Sequence, residues 1–293
     1  MRILVTGATR GLGLATARTL ARRGAEVVVT GRDPGAVARV AREIGGAPVV
    51  LDLARPEHVR QVAAELPVLD AVVANAGVAF TGPPTFTDDG IEETLAINVL
   101  GHVALLDVLM EHPAPPSRVV LLGSGTHVPG LVPGVPAPVE DLALGALARG
   151  EVAAEDGTRR YTTSKLHITA LTAAYARAHP ATHWTCYDPG LMTSTGLART
   201  RSPWLQQALR ILERPISMLV PFAVTPEESG GTLAGLVLNP SGLTGGVMAF
   251  HRGFGDRSAR AADPAFQDAL LAGTRTLLAG PEVRLAQASV PSR

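Results

Sequence analysis

Short apolar runs alternate with longer stretches of helical spacing through the first two thirds of the chain. The runs predict strands at 3–5, 27–30, 48–51, 71–74, 119–122 and 185–187. The intervening stretches predict helices at 12–23, 34–44, 56–66, 88–110 and 161–178. Because the strands are almost continuously Val, Leu and Ile, we expect helices on both of their faces. The pattern therefore predicts an α/β fold with a doubly wound parallel sheet.

The last third of the chain has a different texture. An amphipathic stretch covers 204–219, and the sequence Thr-Pro-Glu-Glu at 225–228 is typical of a helix start. A last apolar run lies at 246–250 among glycines, and 263–278 predicts one more helix. Since no repeat or low-complexity linker divides the chain, we predict a single domain over 1–293.

A proline-rich insertion of about 125–160 follows the fifth predicted strand. Its prolines lie close together at 129, 133, 136 and 138. Proline lacks the amide hydrogen that a regular helix needs, so this density favours an extended surface segment.

Charge and cysteine content limit the partners and the compartment. The chain has 26 basic and 26 acidic residues, which gives no electrostatic footprint for nucleic acid. No signal sequence is visible, and we expect no membrane span. Cys186 is the one cysteine, so no intrachain disulfide can form, and we expect a cytoplasmic protein.

The first predicted strand leads into the sequence Thr-Gly-Ala-Thr-Arg-Gly-Leu-Gly at 6–13. Glycines in such a turn let a pyrophosphate approach the amides of a helix N-terminus, whose partial positive charge favours an anion. We expect a dinucleotide to contact Gly7, Thr9, Arg10, Gly11, Leu12 and Gly13. The spacing alone leaves open a tight turn that binds no ligand.

The end of the second predicted strand indicates which dinucleotide binds. A site for NAD usually places an acid there for the ribose 2′-hydroxyl, whereas this chain has Gly31 and Arg32. Arg10 adds a second guanidinium on the same side, and two such groups suit a 2′-phosphate. We therefore predict NADP(H). Asp33, one place later, leaves NAD as the alternative cofactor. Both arginines can also be interpreted as ordinary surface residues.

Tyr161 and Lys165 open a predicted helix, and their spacing of four puts both on one face. Lys165 is the one lysine among the 26 basic residues. Other motifs accompany the pair in a definite order along the chain: the glycine loop, Asn75-Ala76-Gly77, Asn98-Val99-Leu100-Gly101 and Ser124. Together they resemble the tyrosine-dependent short-chain dehydrogenases/reductases over nearly the whole chain. The resemblance implies a Rossmann fold and an NAD(P)-dependent oxidoreductase.

The resemblance also implies a role for each of four residues. Tyr161 is the expected acid/base, Lys165 its electrostatic partner, Ser124 a donor that orients a carbonyl, and Asn98 the anchor of a proton-relay water. A free phenol has a pKa of about 10, so acid/base work near neutrality needs a stabilised phenolate. A neighbouring ammonium supplies that stabilisation. Taken alone, Tyr161 would indicate only a half-buried helical tyrosine.

Three further segments resemble cofactor contacts of the family. The tripeptide 75–77 follows the fourth predicted strand. Asp52 and Leu53 follow the third and resemble the adenine contact, although Asp52 is equally an ordinary turn residue. Pro189-Gly190 precedes three hydroxyl residues and resembles the segment that bonds the nicotinamide carboxamide. Of these hydroxyls, we expect Thr193 to make that bond.

The histidines indicate no metal site. His102, His127 and His183 show no metal-ligand spacing with one another or with Cys186, so we predict no metal. His127, three residues after Ser124, is a candidate for the wall of a substrate cleft. A buried core histidine is the alternative.

The segment 187–199 looks most like the branch of the family that holds retinol dehydrogenases and light-dependent protochlorophyllide reductases. The latter carry a cysteine just after the Pro-Gly pair, where this chain has Leu191. A ketoreductase is therefore the function that the residues favour. Reduction of a C=C bond of the protochlorophyllide type and a non-catalytic NADP(H)-binding sensor or scaffold are the alternatives.

Tyr161 follows Ser124 by 37 residues, a spacing longer than is common in the family. We expect the insertion to build one wall of a cleft and the segment 195–222 to form a facing lid. The lid segment can equally pack on the core or in a subunit contact. Such a cleft fits a bulky, mostly apolar small-molecule substrate, for example a secondary metabolite. A second copy of the chain, in a dimer or tetramer, is the other partner that we consider.

Overall fold

Eight strands form one sheet in the part of the chain that the structure describes. The structure is a computed structural model that describes residues 1–192, 224–240, 242, 244–249, 253–255 and 257–280. The strands are β1 (Arg2–Val5), β2 (Glu26–Gly31), β3 (Ala47–Val50), β4 (Ala71–Ala74), β5 (Arg118–Leu122), β6 (His183–Asp188), β7 (Gly246–Ala249) and β8 (Gly253–Gly255). Their order is β3-β2-β1-β4-β5-β6-β7-β8, and all neighbours are parallel except β7 and β8. The predicted doubly wound parallel sheet is confirmed, and β8 is an antiparallel addition.

Helices connect the strands. They are α1 (Gly11–Arg22), α2 (Pro34–Ile44), α3 (Pro56–Glu65), α4 (Glu93–Leu95), α5 (Gly101–Glu111), α6 (Leu144–Ala148), α7 (Gly157–Ala178), α8 (Pro226–Leu238), α9 (Ala259–Ala262) and α10 (Pro264–Ala279). A π-helical turn at Ala96–Leu100 joins α4 to α5 in one continuous segment. The helices predicted at 12–23, 34–44, 56–66 and 263–278 are confirmed to within one residue at each end.

Two predicted helices begin elsewhere. The helix predicted at 88–110 begins at Glu93, because the N–H of Thr87 donates to the carbonyl of Ile91 at 2.9 Å and closes a turn there. Helix α7 begins at Gly157, four residues before the predicted start, because the Asp156 carboxylate caps its first turn. The insertion also contains the short helix α6, while its prolines at 129–138 lie outside any helix or strand, as predicted.

The start of α8 is confirmed as a capping box. Thr225 Oγ1 accepts the N–H of Glu228, and the Glu228 carboxylate accepts the N–H of Thr225 at 3.0 Å. The amphipathic stretch predicted at 204–219 and the whole of the expected lid at 195–222 lie outside the described residues.

Alternate residues of the strands serve two cores, one on each face of the sheet. Ile3 and Val5 of β1 belong to the core that contains Leu20 of α1. Leu4 between them belongs to the core that contains Leu166 of α7. Because helices cover both faces, the loops after the parallel strands meet at one edge, where ligands bind in such sheets.

One described helical segment, Glu93–Glu111, is long and apolar enough to cross a membrane, with a mean hydropathy of 1.5. The segment meets this criterion by length and composition only. The segment is 83% buried within the fold, and central helices of globular proteins commonly pass this test. We interpret it as a core helix.

Two adjacent glycines of α8 provide a matched test of its packing on α1. A Cβ built on Gly230 would lie 2.9 Å from the backbone nitrogen of Thr16, whereas one on Gly231 meets nothing within 4 Å. We expect Gly230→Ala to lower the free energy of unfolding by about 1–3 kcal/mol, because the helices must separate. Gly231→Ala should raise it by up to ~1 kcal/mol, since alanine favours a helix. Denaturant unfolding of both variants measures this, and equal changes would contradict the close contact.

Candidate active site

The glycine loop turns sharply between β1 and α1. Gly7 and Gly11 have φ of +64° and +53°, in the left-handed region that favours glycine. A Cβ built on Gly13 would lie 2.3 Å from the carbonyl oxygen of Gly7, so no side chain fits there. Leu12 is buried in the core and offers a ligand only its backbone. The first amides of α1 therefore have no side chain at 11 or 13 to cover them.

Asn75 holds this loop against the end of β4. Its Nδ2 donates to the carbonyl of Thr6 at 2.8 Å, and the N–H of Ala76 donates to Thr6 Oγ1 at 2.9 Å. A Cβ built on Gly77 would lie 3.8 Å from Lys165 Nζ. The tripeptide 75–77 thus lies between the glycine loop and the predicted catalytic lysine.

Arg10 and Arg32 lie at the same edge of the sheet. Thr9 packs on Gly31, since a Cβ built there would lie 3.0 Å from Thr9 Cγ2. Both arginines are exposed, and among the described residues neither guanidinium has a hydrogen-bond or ion-pair partner. Asp33, the acid that kept NAD open, instead caps the first turn of α2. The two guanidinium groups are available to an anion, whereas the acid already has a structural role.

Asp52 and Leu53 follow β3. Asp52 Oδ1 accepts the N–H of Ala54 at 3.1 Å, which is the turn role. Leu53 is buried, and its carbonyl oxygen would lie 2.4 Å from a Cβ built on Gly101. The structure thus describes the turn, and the adenine contact stays a prediction.

Asn98 lies in the π-helical turn, and its side-chain amide makes three hydrogen bonds. Its Oδ1 accepts the N–H of Val78 at 2.8 Å, and its Nδ2 donates to the carbonyl of Val78 at 2.9 Å and to Ser164 Oγ at 3.0 Å. Single π-turns of this kind recur at functional sites. The amide ties the loop after β4 to α7, one residue before Lys165.

His102 is a site residue that the sequence analysis missed. Its Nδ1 lies 3.1 Å from the carbonyl oxygen of Asn98, and its Nε2 lies 3.2 Å from Thr6 Oγ1. Burial lowers its pKa to about 4, so the ring is neutral near pH 7. A carbonyl only accepts, so Nδ1 carries the proton and Nε2 accepts from the Thr6 hydroxyl. The available sequence signal was its spacing of four from Asn98.

Ser124 and Tyr161 meet after β5, as predicted. The Ser124 hydroxyl acts to lower the pKa of Tyr161, but burial of the phenol is the larger effect and raises that pKa to about 12. The Thr126 hydroxyl donates to Ser124 Oγ at 3.1 Å. In the protein alone Tyr161 is therefore a neutral phenol, where the sequence analysis expected a stabilised phenolate.

Lys165 reaches the same place from the next turn of α7. Its Nζ donates to the carbonyl of Leu122 at 2.8 Å and lies 5.5 Å from the centroid of the Tyr161 ring. Burial lowers its pKa to about 8, while the charges of Cys186 and Asp188 act to raise it. Lys165 therefore titrates close to physiological pH.

Asp188 is a second residue that the sequence analysis missed. It ends β6, is 6% exposed, and its carboxylate acts to raise the pKa of both Tyr161 and Lys165. Its Oδ1 accepts the N–H of Gly190 at 3.2 Å, which shapes the Pro-Gly turn. Thr193, the predicted partner of the carboxamide, lies outside the described residues.

A buried ion pair fixes the start of α7. Arg160 and Glu92 are 2% exposed in their side chains and lie 3.2 Å apart. Arg160 also donates to the carbonyls of Ala153, Ala154 and Gly82, so its guanidinium is well satisfied. Tyr161 follows directly and is positioned by this anchored turn.

The remaining histidines have no common site. His127 is buried and has partners on both ring nitrogens, which fits the core alternative better than a cleft wall. Among the described residues, no group of three His, Cys, Asp or Glu side chains could hold a metal ion.

Two solved structures have a similar fold. The crystal structure of an uncharacterised protein from Mycobacterium paratuberculosis superposes with a TM-score of 0.72 at 26% identity, covering 94% of this chain and 92% of that one. A blue fluorescent protein from a metagenomic library, in complex with NADPH, superposes with a TM-score of 0.61 at 24% identity, covering 87% and 98%. The second likeness shows the fold alone.

Sequence comparison identifies the family. Residues 1–131 match the family described as short chain dehydrogenase. Protochlorophyllide reductase B, chloroplastic, of Hordeum vulgare is 33% identical over 275 residues, which cover 83% of this chain and 69% of that protein. With this identity and coverage, the chain belongs to the short-chain dehydrogenase family and is an oxidoreductase.

Proposed function

We propose that the chain is an NADPH-dependent ketoreductase that acts on a bulky, mostly apolar small molecule. One observation carries the proposal. The neutral hydroxyl of Tyr161 is close enough to Ser124 to be affected by it, and Lys165, one helical turn away, lies beside Gly77 in the loop after β4. A proton donor, a second hydroxyl and a cation at one point are what reduction of a carbonyl requires.

The residues present fit NADP(H). The glycine loop excludes side chains where a pyrophosphate would approach α1, and Gly7, Thr9, Arg10, Gly11 and Gly13 would form that contact. The exposed Arg10 and Arg32 would hold the 2′-phosphate, while the neighbouring acid, Asp33, caps α2. The proposed contacts are completed by residues of three segments: Asp52, Leu53, Asn75, Ala76, Gly77, Pro189, Gly190 and Thr193. When bound, the dinucleotide supplies the hydride.

The chain's own residues supply the proton and hold the substrate. Tyr161, with its pKa near 12, is protonated at physiological pH and donates to the carbonyl oxygen as it is reduced. Ser124 donates to the same oxygen and orients it. The Lys165 ammonium, present below a pKa of about 8, stabilises the phenolate that remains.

The proposed relay water has two candidate acceptors on Asn98, the side-chain Oδ1 and the backbone carbonyl oxygen. Val78 donates to Oδ1, and His102 bonds the backbone oxygen. Each oxygen has two lone pairs, so a second partner can bind to either. The two hydrogens of Nδ2 are used by Val78 and Ser164, and we assign this nitrogen to the positioning of α7.

Reduction of a C=C bond is a second candidate, favoured by the name of the Hordeum vulgare relative. Tyr161 could donate the proton there too. Position 191 is a leucine without a thiol, and the Cys186 thiol is fully buried against Thr169, so neither residue offers a second proton donor. Incubation with NADPH and an α,β-unsaturated polycyclic ketone distinguishes the two, since the alcohol and the saturated ketone have different masses and spectra.

The substrate class rests on the insertion and on the expected lid. Within the insertion, Leu131 is 37% exposed and Val139 is tied to α7 through Thr163 Oγ1 at 2.9 Å. We propose this tethered segment as one cleft wall. The lid at 195–222, a cytoplasmic location and a dimer or tetramer stay predictions.

Tyr161→Phe tests the proposed chemistry. The variant should lose a factor of about 10²–10⁴ in kcat for a polycyclic ketone, because the proton donor is gone. NADPH affinity, measured by fluorescence titration, should stay within about twofold, since the hydroxyl serves the substrate. Tyr187→Phe is the control, as that hydroxyl bonds Ser229 on the far side of the sheet. A wild-type protein that binds NADPH but reduces neither bond would instead support the sensor alternative.

Arg32→Asp tests cofactor selection. The variant should bind NADPH at least ~10-fold more weakly and NADH no more weakly, since one charge-assisted bond is worth about 1.5–3 kcal/mol. Arg39→Asp changes the same charge on the exposed face of α2 and controls for long-range attraction. Equal weakening in both variants would remove the specific role of Arg32.

Asp188→Asn tests the charge at the end of β6. Loss of the carboxylate should lower the pKa of Lys165 and of Tyr161, because Asp188 acts to raise both. The ammonium is then lost at a lower pH. The alkaline limb of kcat/KM, which we expect near pH 8 in the wild type, should therefore move to lower pH. Glu111→Gln, at an exposed position at the end of α5, should leave the limb in place.

A further inference from the structure

His127 joins the segment of Ser124 to the C-terminal part of the chain. Its Nδ1 lies 2.6 Å from the carbonyl oxygen of Ser124, and its Nε2 lies 3.4 Å from the backbone nitrogen of Ser258. His127 is 3% exposed and Ser258 6%, so solvent hardly competes for these contacts. The ring therefore bridges the backbone of Ser124 to that of Ser258, which lies 131 residues after His127 in the chain.

The two partners fix the form of the ring. A carbonyl oxygen only accepts and a backbone N–H only donates, so Nδ1 of His127 carries a proton and Nε2 does not. A neutral imidazole with this one tautomer satisfies both contacts. No other side chain supplies a donor and an acceptor at these two positions with a rigid ring between them.

The Ser258 end of the bridge is firmly held. The Ser258 hydroxyl caps α9, and the Gln267 amide of α10 donates to the carbonyl of Ala261 at 2.7 Å. Helix α10 is fixed to the central helices, since Arg275 makes two hydrogen bonds to Asp107 of α5, at 2.9 and 2.7 Å. The contact on Nε2 therefore joins the ring to an anchored part of the fold.

The Ser124 end of the bridge carries the hydroxyl that we propose for the reaction. Ser124 is extended, with φ of −169° and ψ of 145°, and a short 3₁₀ turn at Gly125–His127 follows it. The Thr126 hydroxyl donates to Ser124 Oγ, and the Ser124 side chain is close enough to Tyr161 to lower its pKa. A shift of the Ser124 carbonyl would move this hydroxyl relative to the phenol.

We propose that His127 is a positioning residue that holds Ser124 in register with Tyr161 by fastening it to Ser258. The proposal rests on the proposed function of Ser124 as the donor to the substrate oxygen. It makes residues 257–280 part of the framework of the active site, although they contribute no group to the reaction. Small displacements at such sites cost catalysis more than binding.

Two substitutions at His127 test the contacts of its two ring nitrogens separately. Asparagine can place an amide N–H near Nδ1 but has nothing at Nε2, whereas glutamine can place an oxygen near Nε2 but has no donor near Nδ1. We expect His127→Gln to lower kcat about 10-fold, the scale of one lost hydrogen bond, and His127→Asn to stay within about threefold. NADPH affinity should not change in either variant. Equal losses in kcat and in melting temperature would make His127 merely structural and overturn the proposal.

A second pair tests the other end without touching the ring. Ser258 has φ of −57°, which proline also adopts, so Ser258→Pro removes the N–H that faces Nε2. Ser258→Ala removes the same hydroxyl and keeps the N–H. We expect the proline variant to have a kcat about threefold below the alanine variant, since the contact is long. Equal kcat values would show that Ser258 does not position Ser124.

Crystal structures of His127→Gln and of His127→Asn test the positioning role independently of the proposed enzymatic activity. Displacement of Ser124 Oγ from Tyr161 in the glutamine variant alone supports the positioning role even if no ketone is turned over. Ser124 in the same place in both variants overturns it, even if the wild type proves to be a ketoreductase.

Discussion

The hydrogen-bonded side-chain amide of Asn98 is the constraint on which the site depends. Its three hydrogen bonds join the loop after β4 to α7, and its carbonyl is bonded by His102, which reaches Thr6 in the glycine loop. One connected set of hydrogen bonds therefore holds the glycine loop, the loop after β4 and helix α7 together. A buried network that is fully satisfied specifies one arrangement, whereas loss of one member leaves several polar groups unpaired.

Local signals predicted most of the fold. The continuous apolar runs marked six strands, and the Thr-Pro-Glu-Glu box marked the start of α8, because burial and capping act over a few residues. The glycine loop could also be predicted, because its motif lies within eight consecutive residues. The early start of α7 combines a local signal, the Asp156 cap, with a tertiary contact. Gly157 is required there because a Cβ would lie 2.0 Å from the carbonyl oxygen of Phe80, which the sequence does not show.

Residue types in the site were predictable, but their electrostatic state was not. Motif spacing placed Tyr161, Ser124 and Lys165 together, as the structure does. The sequence gives no measure of burial, which raises the pKa of Tyr161 to about 12 and lowers that of Lys165 to about 8. Nor does it show that Asp188 acts on both groups, or that His102 and His127 bond carbonyls in the site. Such contacts depend on the packing of segments that are distant in the chain.

The solitary lysine has a consequence for the chemical handling of this protein. Its ammonium is 6% exposed, and a pKa near 8 leaves a sizeable fraction as the free, nucleophilic amine in weakly alkaline solution. Amine-directed dyes, cross-linkers and resins therefore find one primary amine besides the α-amino group, and it lies inside the site. The labelling stoichiometry would report on how readily such reagents reach the buried Lys165. Immobilisation of the protein would need arginine, carboxylate or terminal chemistry.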